Sequence, residues 1–360
     1  MDGEAPAVRA ERTVISRRPP PRSGPLRLLG LLLAAVLIAL ALGACGGDGS
    51  AGADGTTGSA IDEEGAKPLQ PVADHPTQSL PATVTLSDGS EVTVTDTSRI
   101  LPLWGNLNEM VFALGLGDNV VGRDVAAQFP GTEDLPVVTN GHDVSAEAAL
   151  SLEPTVVFAQ EDTGPPEALD QIRDAGVPVV VLDMPGSVDD IWPRIRTVAA
   201  ALGVPDAGEA LIERTQAEID EARAPIPEGD APRVAFLYLR GSAGVYLLGG
   251  PGSGADSMIE AAGGEDAGTA LGLGKSFTPL TSEALVEAAP DVLLLTDSGL
   301  ESVGGIGALL EMPGISQTPA ARDRRVVTVD DGVLYSFGSR TPQAIAELVQ
   351  KIHGQNPDGT

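Results

Sequence analysis

Ser145-Ala146-Glu147-Ala148-Ala149-Leu150-Ser151-Leu152-Glu153-Pro154-Thr155-Val156-Val157-Phe158 has a counterpart 136 positions later, Thr281-Ser282-Glu283-Ala284-Leu285-Val286-Glu287-Ala288-Ala289-Pro290-Asp291-Val292-Leu293-Leu294. In each copy a hydroxyl residue precedes a short Ala/Leu-rich stretch, and a Pro stands seven positions after the first Glu. This order predicts a short helix followed at once by an apolar strand. Ser145 and Thr281 can cap free backbone N–H groups, Glu147 and Glu283 suit the positive end of the helix dipole, and neither Pro can continue the helix. A weaker echo precedes each copy, residues 110–118 against 258–266, where a helix pattern runs into a Gly-rich stop. Two lobes of like design imply a cleft between them, and function is expected there.

Outward from these copies, short apolar runs alternate with amphipathic ones. Strands are predicted over 99–102, 120–122, 156–159, 177–182, 233–239, 245–248, 292–296 and 326–329. Helices are predicted over 107–114, 166–175, 256–262 and 342–352, and a β-hairpin over 82–97 across Ser87-Asp88-Gly89. Such alternation argues for an α/β fold with largely parallel sheets covered on both faces. Residues 206–222 form a longer uninterrupted helix pattern, closed by Pro225 and Pro227, that is suited to connect the lobes. The expected organisation is therefore an N-terminal lobe over 81–204, a connecting helix within 205–228, a C-terminal lobe over 229–353 and a tail over 354–360.

The beginning of the chain belongs to neither lobe. Six Arg precede an apolar, uncharged run over 28–44 that ends in Leu42-Gly43-Ala44-Cys45. A basic lead, an apolar run and small residues before a break are the parts of an export signal, although the run is also long enough for a spanning helix. Residues 42–45 resemble the lipobox of bacterial lipoproteins, which implies a signal peptide over 1–44 and a lipid on Cys45. Residues 45–80 then read as the lipidated Cys and a flexible linker poor in large apolar residues. Cys45 is the sole cysteine, so an intramolecular disulfide and any multi-Cys metal site are excluded.

The whole chain of 360 residues carries a formal charge of −29. Removing residues 1–44 takes away six Arg and three acids, leaving −32. So acidic a body argues against nucleic acid and against peripheral binding to anionic lipid, so membrane attachment requires a covalent anchor. The expected location is the outer face of the cytoplasmic membrane, as an exported monomer.

No catalytic constellation occurs: there is no Walker loop, no Gly-x-Ser-x-Gly elbow and no His-Glu-x-x-His, so no enzyme is predicted. Gly252-Ser253-Gly254 before a helix offers backbone N–H groups to an anion, or is a plain loop. His75 and His353 read as solvated. His142 follows a strand-like stretch through Asn140-Gly141, at the edge where parallel α/β lobes bind ligands, or is an exposed loop residue. Tyr238 and Arg240 share one face of a strand by its period of two. A cation beside a phenol favours phenolate, a hard ligand for ferric iron; a half-buried Tyr with a solvated Arg is the plainer alternative. Tyr246 and Tyr335 are expected to pack or line the cleft. Met184 and Met312, each before a Pro, could touch a flat apolar ligand. Arg340 and Lys275 are lesser candidates for an anionic ligand.

A lipobox, two α/β lobes, one connecting helix and a Glu-bearing helix in each lobe resemble the periplasmic binding proteins whose lobes are joined by a single long helix. That class serves ABC importers of iron siderophores, cobalamin and haem. Over residues 97–353 the stretches Asn140-Gly141-His142, Tyr238-Leu239-Arg240-Gly241 and Gly252-Ser253-Gly254-Ala255-Asp256 resemble haem-binding lipoproteins of haemin importers. The resemblance implies haem as a transported ligand, its iron held axially by His142 and Tyr238 from opposite lobes. It implies that Arg240 hydrogen-bonds the Tyr oxygen or a haem propionate. It further implies that Glu147 and Glu283 dock onto a permease dimer. The alternatives are a ferric siderophore or cobalamin in the same fold, or a lipid-anchored surface protein without transport.

Overall fold

Each Glu-bearing helix leads into the middle strand of a three-stranded parallel arrangement in the computed structural model, which describes residues 69–140, 143–335 and 337–354. The expected signal peptide, the expected lipidation site Cys45 and most of the expected linker lie outside the described residues. In the first lobe a hairpin of β1 (Ala82–Thr85) and β2 (Glu91–Val94) precedes β3 (Ile100–Pro102), α1 (Gly105–Ala113), β4 (Arg123–Asp124), β5 (Val137–Asn140) and β6 (Asp143–Val144). Then follow α2 (Ala146–Ser151), β7 (Val156–Gln160), α3 (Pro166–Asp174), β8 (Val179–Leu182) and α4 (Ile191–Ala201). Strands β3, β7 and β8 run parallel, with Ile100 opposite Val156 and Val157 opposite Val179. All five residues of β7 are buried, as expected of a parallel strand covered on both faces. A separate small sheet joins β4, β5 and β6.

Helix α5 (Pro205–Arg223) connects the lobes. It starts at a Pro suited to a first turn, and its buried Leu211, Ile212, Thr215 and Ile219 form one stripe against α4 and the last helix. The second lobe opens with β9 (Arg233–Arg240), β10 (Val245–Gly249), α6 (Ala255–Ala261), β11 (Glu265–Asp266) and α7 (Ala267–Ala270). It continues with β12 (Phe277–Pro279), α8 (Ser282–Ala288), β13 (Val292–Thr296), α9 (Asp297–Ser302), α10 (Gly305–Glu311) and α11 (Pro319–Arg322). It closes with β14 (Val326–Val329), α12 (Asp331–Leu334) and α13 (Thr341–His353). Its sheet has the order β12-β10-β9-β13-β14, with β11 also beside β9. Strands β9, β13 and β14 are parallel, while β10 and β12 add antiparallel.

One apolar cluster runs from Val84 and Leu107 through Leu211 to Phe236 and Ile352, so the core is continuous across the connector. Each lobe adds a second cluster under its Glu helix, around Ala149 and Val157 in the first and Leu285 and Leu293 in the second. All described residues fall within one compact unit, Ala60–Thr360. Among them no helix is long and apolar enough to cross a membrane.

Two expectations need correction. The strand expected over 120–122 is absent; Val120 makes a single bridge to Ile100, and the strand comes later as β4. Helix α4 lies where no element was expected: Pro193 looks like a helix breaker, but it stands in the first turn, where its missing N–H costs nothing. Ser187 and Asp190 form a reciprocal cap immediately before it.

Candidate functional site

The carboxyl end of β9 carries the site. Alternation along the strand sends Leu237 and Leu239 into the second lobe's core and leaves Phe236, Tyr238 and Arg240 together on the other face. Cross-strand register extends that face. Leu247 of β10 stands opposite Tyr238 and is paired in turn with Pro279 of β12, while Gly249 is paired with Phe277. A Cβ on Gly249 would come within 2.8 Å of the Phe236 ring, so glycine there makes room for the aromatic beside it. Phe277 packs against both Phe236 (centroids 6.4 Å apart) and Tyr238 (5.7 Å). The result is a half-buried aromatic platform bearing one phenol and one guanidinium.

The guanidinium is held firmly. Arg240 Cζ lies 4.6 Å from the Tyr238 ring centroid, a cation–π contact. Its Nη2 donates to Asp331 Oδ1 at 2.9 Å and its Nη1 to the Leu239 carbonyl at 2.9 Å. Asp331 also accepts from the Ser298 hydroxyl at 2.7 Å, so the carboxylate is itself fixed. Arg240 was expected to bond the Tyr oxygen or a haem propionate; here its charge lies over the Tyr238 ring face and is directed by Asp331.

Tyr335 joins the platform from the residue after α12. Its ring meets Phe236 at 6.2 Å and near right angles, and a Cβ on Gly254 would press on it at 3.3 Å. Its hydroxyl is buried without a hydrogen-bond partner. Burial, and then the neighbouring Tyr238, push the Tyr335 phenol well above its usual range, so it stays protonated at neutral pH.

Other candidates fall elsewhere. Tyr246 stands opposite Leu239, hence on the face of the sheet away from Tyr238. The Gly252–Gly254 loop is closed by its own acid: the Gly252 N–H donates to Asp256 Oδ2 at 2.7 Å, which occupies a donor that an anion would need. Lys275 is exposed, Met184 is exposed, and Met312 packs on the second lobe's core. Arg340 is committed to Glu109 at 2.8 Å. His353, expected in solvent, bonds the Ala262 carbonyl at 2.8 Å and helps seat α13. Gly141 and His142 link the paired residues Asn140 and Asp143 of β5 and β6, and lie outside the described residues. Glu147 and Glu283 are both exposed in the first turns of α2 and α8. The caps are equivalent: Ser145 accepts from the Ala148 N–H at 3.2 Å and Thr281 from the Ala284 N–H at 3.1 Å.

Phe277, Ser298 and Asp331 were not found from the sequence. They carry no motif and reach Tyr238 or Arg240 only through sheet register and the return of the chain after β14. A cavity of about 940 Å³ lies between α5 and α13, lined by Arg214, Glu218, Gln343 and Val349, away from the platform. Its walls hold no comparable pairing of aromatic and oriented cation, so chemistry rather than volume makes β9 the candidate.

Known proteins share this architecture. The crystal structure of the heme binding protein HmuT is 40% identical and superposes with a TM-score of 0.70, covering 80% of this chain and 95% of that one. HmuT has also been crystallised with a single tyrosine, arginine or histidine replaced by alanine. The ABC transporter substrate-binding lipoprotein YvrC of Bacillus subtilis (strain 168) is 24% identical over 286 residues, 78% of this chain and 88% of YvrC. A cobalamin-binding protein of Halobacterium salinarum is 24% identical over 278 residues, 75% of this chain and 74% of that protein. The periplasmic binding protein family matches residues 106–332, well over half the chain, and spans both Glu helices, the connector, and Tyr238, Arg240 and Phe277 of the platform. With two α/β lobes, one joining helix and this match over most of its length, the chain belongs to the periplasmic binding protein family.

Proposed function

We propose that this protein is a lipid-anchored receptor that binds haem outside the cytoplasmic membrane and delivers it to an ABC importer. The observation that carries the reading is the Tyr238–Arg240 pair at the end of β9, held by Asp331 on an aromatic platform. A phenol oxygen is a hard ligand for ferric iron, and an aromatic wall suits a flat porphyrin. In HmuT the replaced tyrosine and arginine stand two positions apart, as Tyr238 and Arg240 do here. His142 supplies the second axial ligand from the first lobe, and Arg240 steers a propionate while remaining on Asp331. Tyr335 and the adjoining Gly254 border the same cleft, whereas Gly252 is tied to Asp256 and Tyr246 faces away. Identity of 40% to a haem binder against 24% to a cobalamin binder favours porphyrin over corrin.

Glu147 and Glu283, one on each lobe and both exposed, dock the receptor onto the two halves of a permease. Cys45 carries the anchor once residues 1–44 are removed, and the linker gives the lobes reach. Hemin titrated into the full-length protein gives a Soret band that saturates at one haem per chain, while cobalamin at equal concentration is not retained. Retention of cobalamin without a Soret band, or an unchanged Soret band in both Tyr238→Ala and His142→Ala, overturns the reading.

A further inference from the structure

The two lobes meet at a buried ion pair. Arg340, just before α13, donates from Nε to Glu109 Oε1 on α1 at 2.8 Å, across 231 positions of chain. The Glu109 side chain is 3% exposed and that of Arg340 20%. Asn106 lies one turn before Glu109 on the same face of α1. Both press on Gly338, where a Cβ would come within 2.9 Å of Glu109 Oε2 and 3.2 Å of Asn106 Cβ. Phe337, the preceding residue, is buried and turns with φ of 32°, a strained conformation for any side chain. The turn is closed by the Gly338 N–H donating to Thr341 Oγ1 at 2.9 Å.

Such a pair is a poor device for stability alone. Burial raises the Glu109 carboxyl above its usual range, and Arg340, the sole charged group acting on it, offsets that only in part. What the pair supplies is direction, because a guanidinium and a carboxylate hold one geometry where apolar surfaces can slide. Around the connector the buried contacts are apolar, between α5 and the stripes of α4 and α13, and the Arg196–Glu209 ion pair between α4 and α5 is exposed. A second polar tie, the Val188 N–H to Ser257 Oγ at 3.0 Å, also joins the lobes. We propose that Glu109 and Arg340 form a latch that holds the lobes at one opening angle. The latch is independent of what the cleft binds, so its test does not depend on haem.

Amide hydrogen exchange on the full-length chain without ligand reads it directly. The decisive variant is Glu109→Leu/Arg340→Met, which replaces both charges and leaves neither unpaired. Exchange over α1 and residues 337–345 rises about tenfold or more, while β7 and β13 keep wild-type protection. Glu109→Gln gives the same pattern more weakly and serves if the double variant does not fold. Unchanged exchange at the joint, or an equal rise in β7 and β13, overturns the latch; the second result would make the pair a contributor to global stability only.

Discussion

The lobes agree on one side of their first strand and part on the other. In both, the Glu helix precedes the middle of three parallel strands, β3-β7-β8 in the first and β9-β13-β14 in the second. Even the backbone repeats: the residue before each helix-ending proline is left-handed, Glu153 at φ 48° and Ala289 at φ 43°. On the far side, β3 meets only Val120 and gives way to the separate β4-β5-β6 sheet. Strand β9 instead takes β10 and β12, whose residues complete the aromatic platform. The shared half of each lobe presents an exposed Glu in like surroundings, and the divergent half of the second lobe builds the aromatic platform. Repetition thus suits a two-fold partner, and divergence suits an asymmetric cargo.

The largest test lies at the joint between the halves. Arg340→Met leaves Glu109 buried without its cation and lowers unfolding free energy by about 3–5 kcal/mol at neutral pH. Glu109 is a raised carboxyl, so folded protein binds its proton more tightly than unfolded chain does. The variant's deficit is therefore smallest below the unfolded value of about 4.3 and grows as pH rises through the folded one. Denaturant melts across that window check this; a pH-independent deficit would break the assignment.

Next comes the divergent face. Tyr238→Ala lowers hemin affinity by at least about a hundredfold, because losing a ligand exceeds the roughly ten- to hundredfold cost of losing its support. Tyr246→Ala, on the opposite face, leaves affinity within about twofold of wild type, a change of only about 0.4 kcal/mol. Equal losses would erase the distinction between the two faces. Asp331→Asn frees Arg240 and lowers affinity about tenfold, with the loss in dissociation rate rather than in association. Smallest among the expected losses are the matched caps, the Tyr246 control aside: Ser145→Ala and Thr281→Ala each cost about 1 kcal/mol in chemical denaturation, and like values sharpen the equivalence of the lobes.

Legibility followed the range of the interactions. Helix α5 was expected over 206–222 and spans Pro205–Arg223, and β13 and β14 match their expected ranges, because each is set by local apolar runs and proline stops. The Tyr238–Arg240 pairing was readable from strand alternation alone. Helix α4 escaped because Trp192-Pro193 reads as a break unless the preceding Ser187–Asp190 cap is recognised. Packing and cleft lining both stayed open for Tyr246 because spacing does not tell which face of β10 it occupies; register with Leu239 does.

The amino-acid order by itself determined the duplicated α/β plan, the connector and the chemistry offered at the end of β9, since capping, period and proline act within a few residues. Only the tertiary structure decided that Asp331 would restrain Arg240 and that Arg340 would leave the ligand question to join Glu109. Those partners are 91 and 231 positions apart, and no local preference can select among the many acids of so acidic a chain. The return of the chain after β14 brings Asp331 to Arg240, and for Arg340 and Glu109 burial adds the selection, because a cation taken out of water holds the carboxylate that the fold brings beside it.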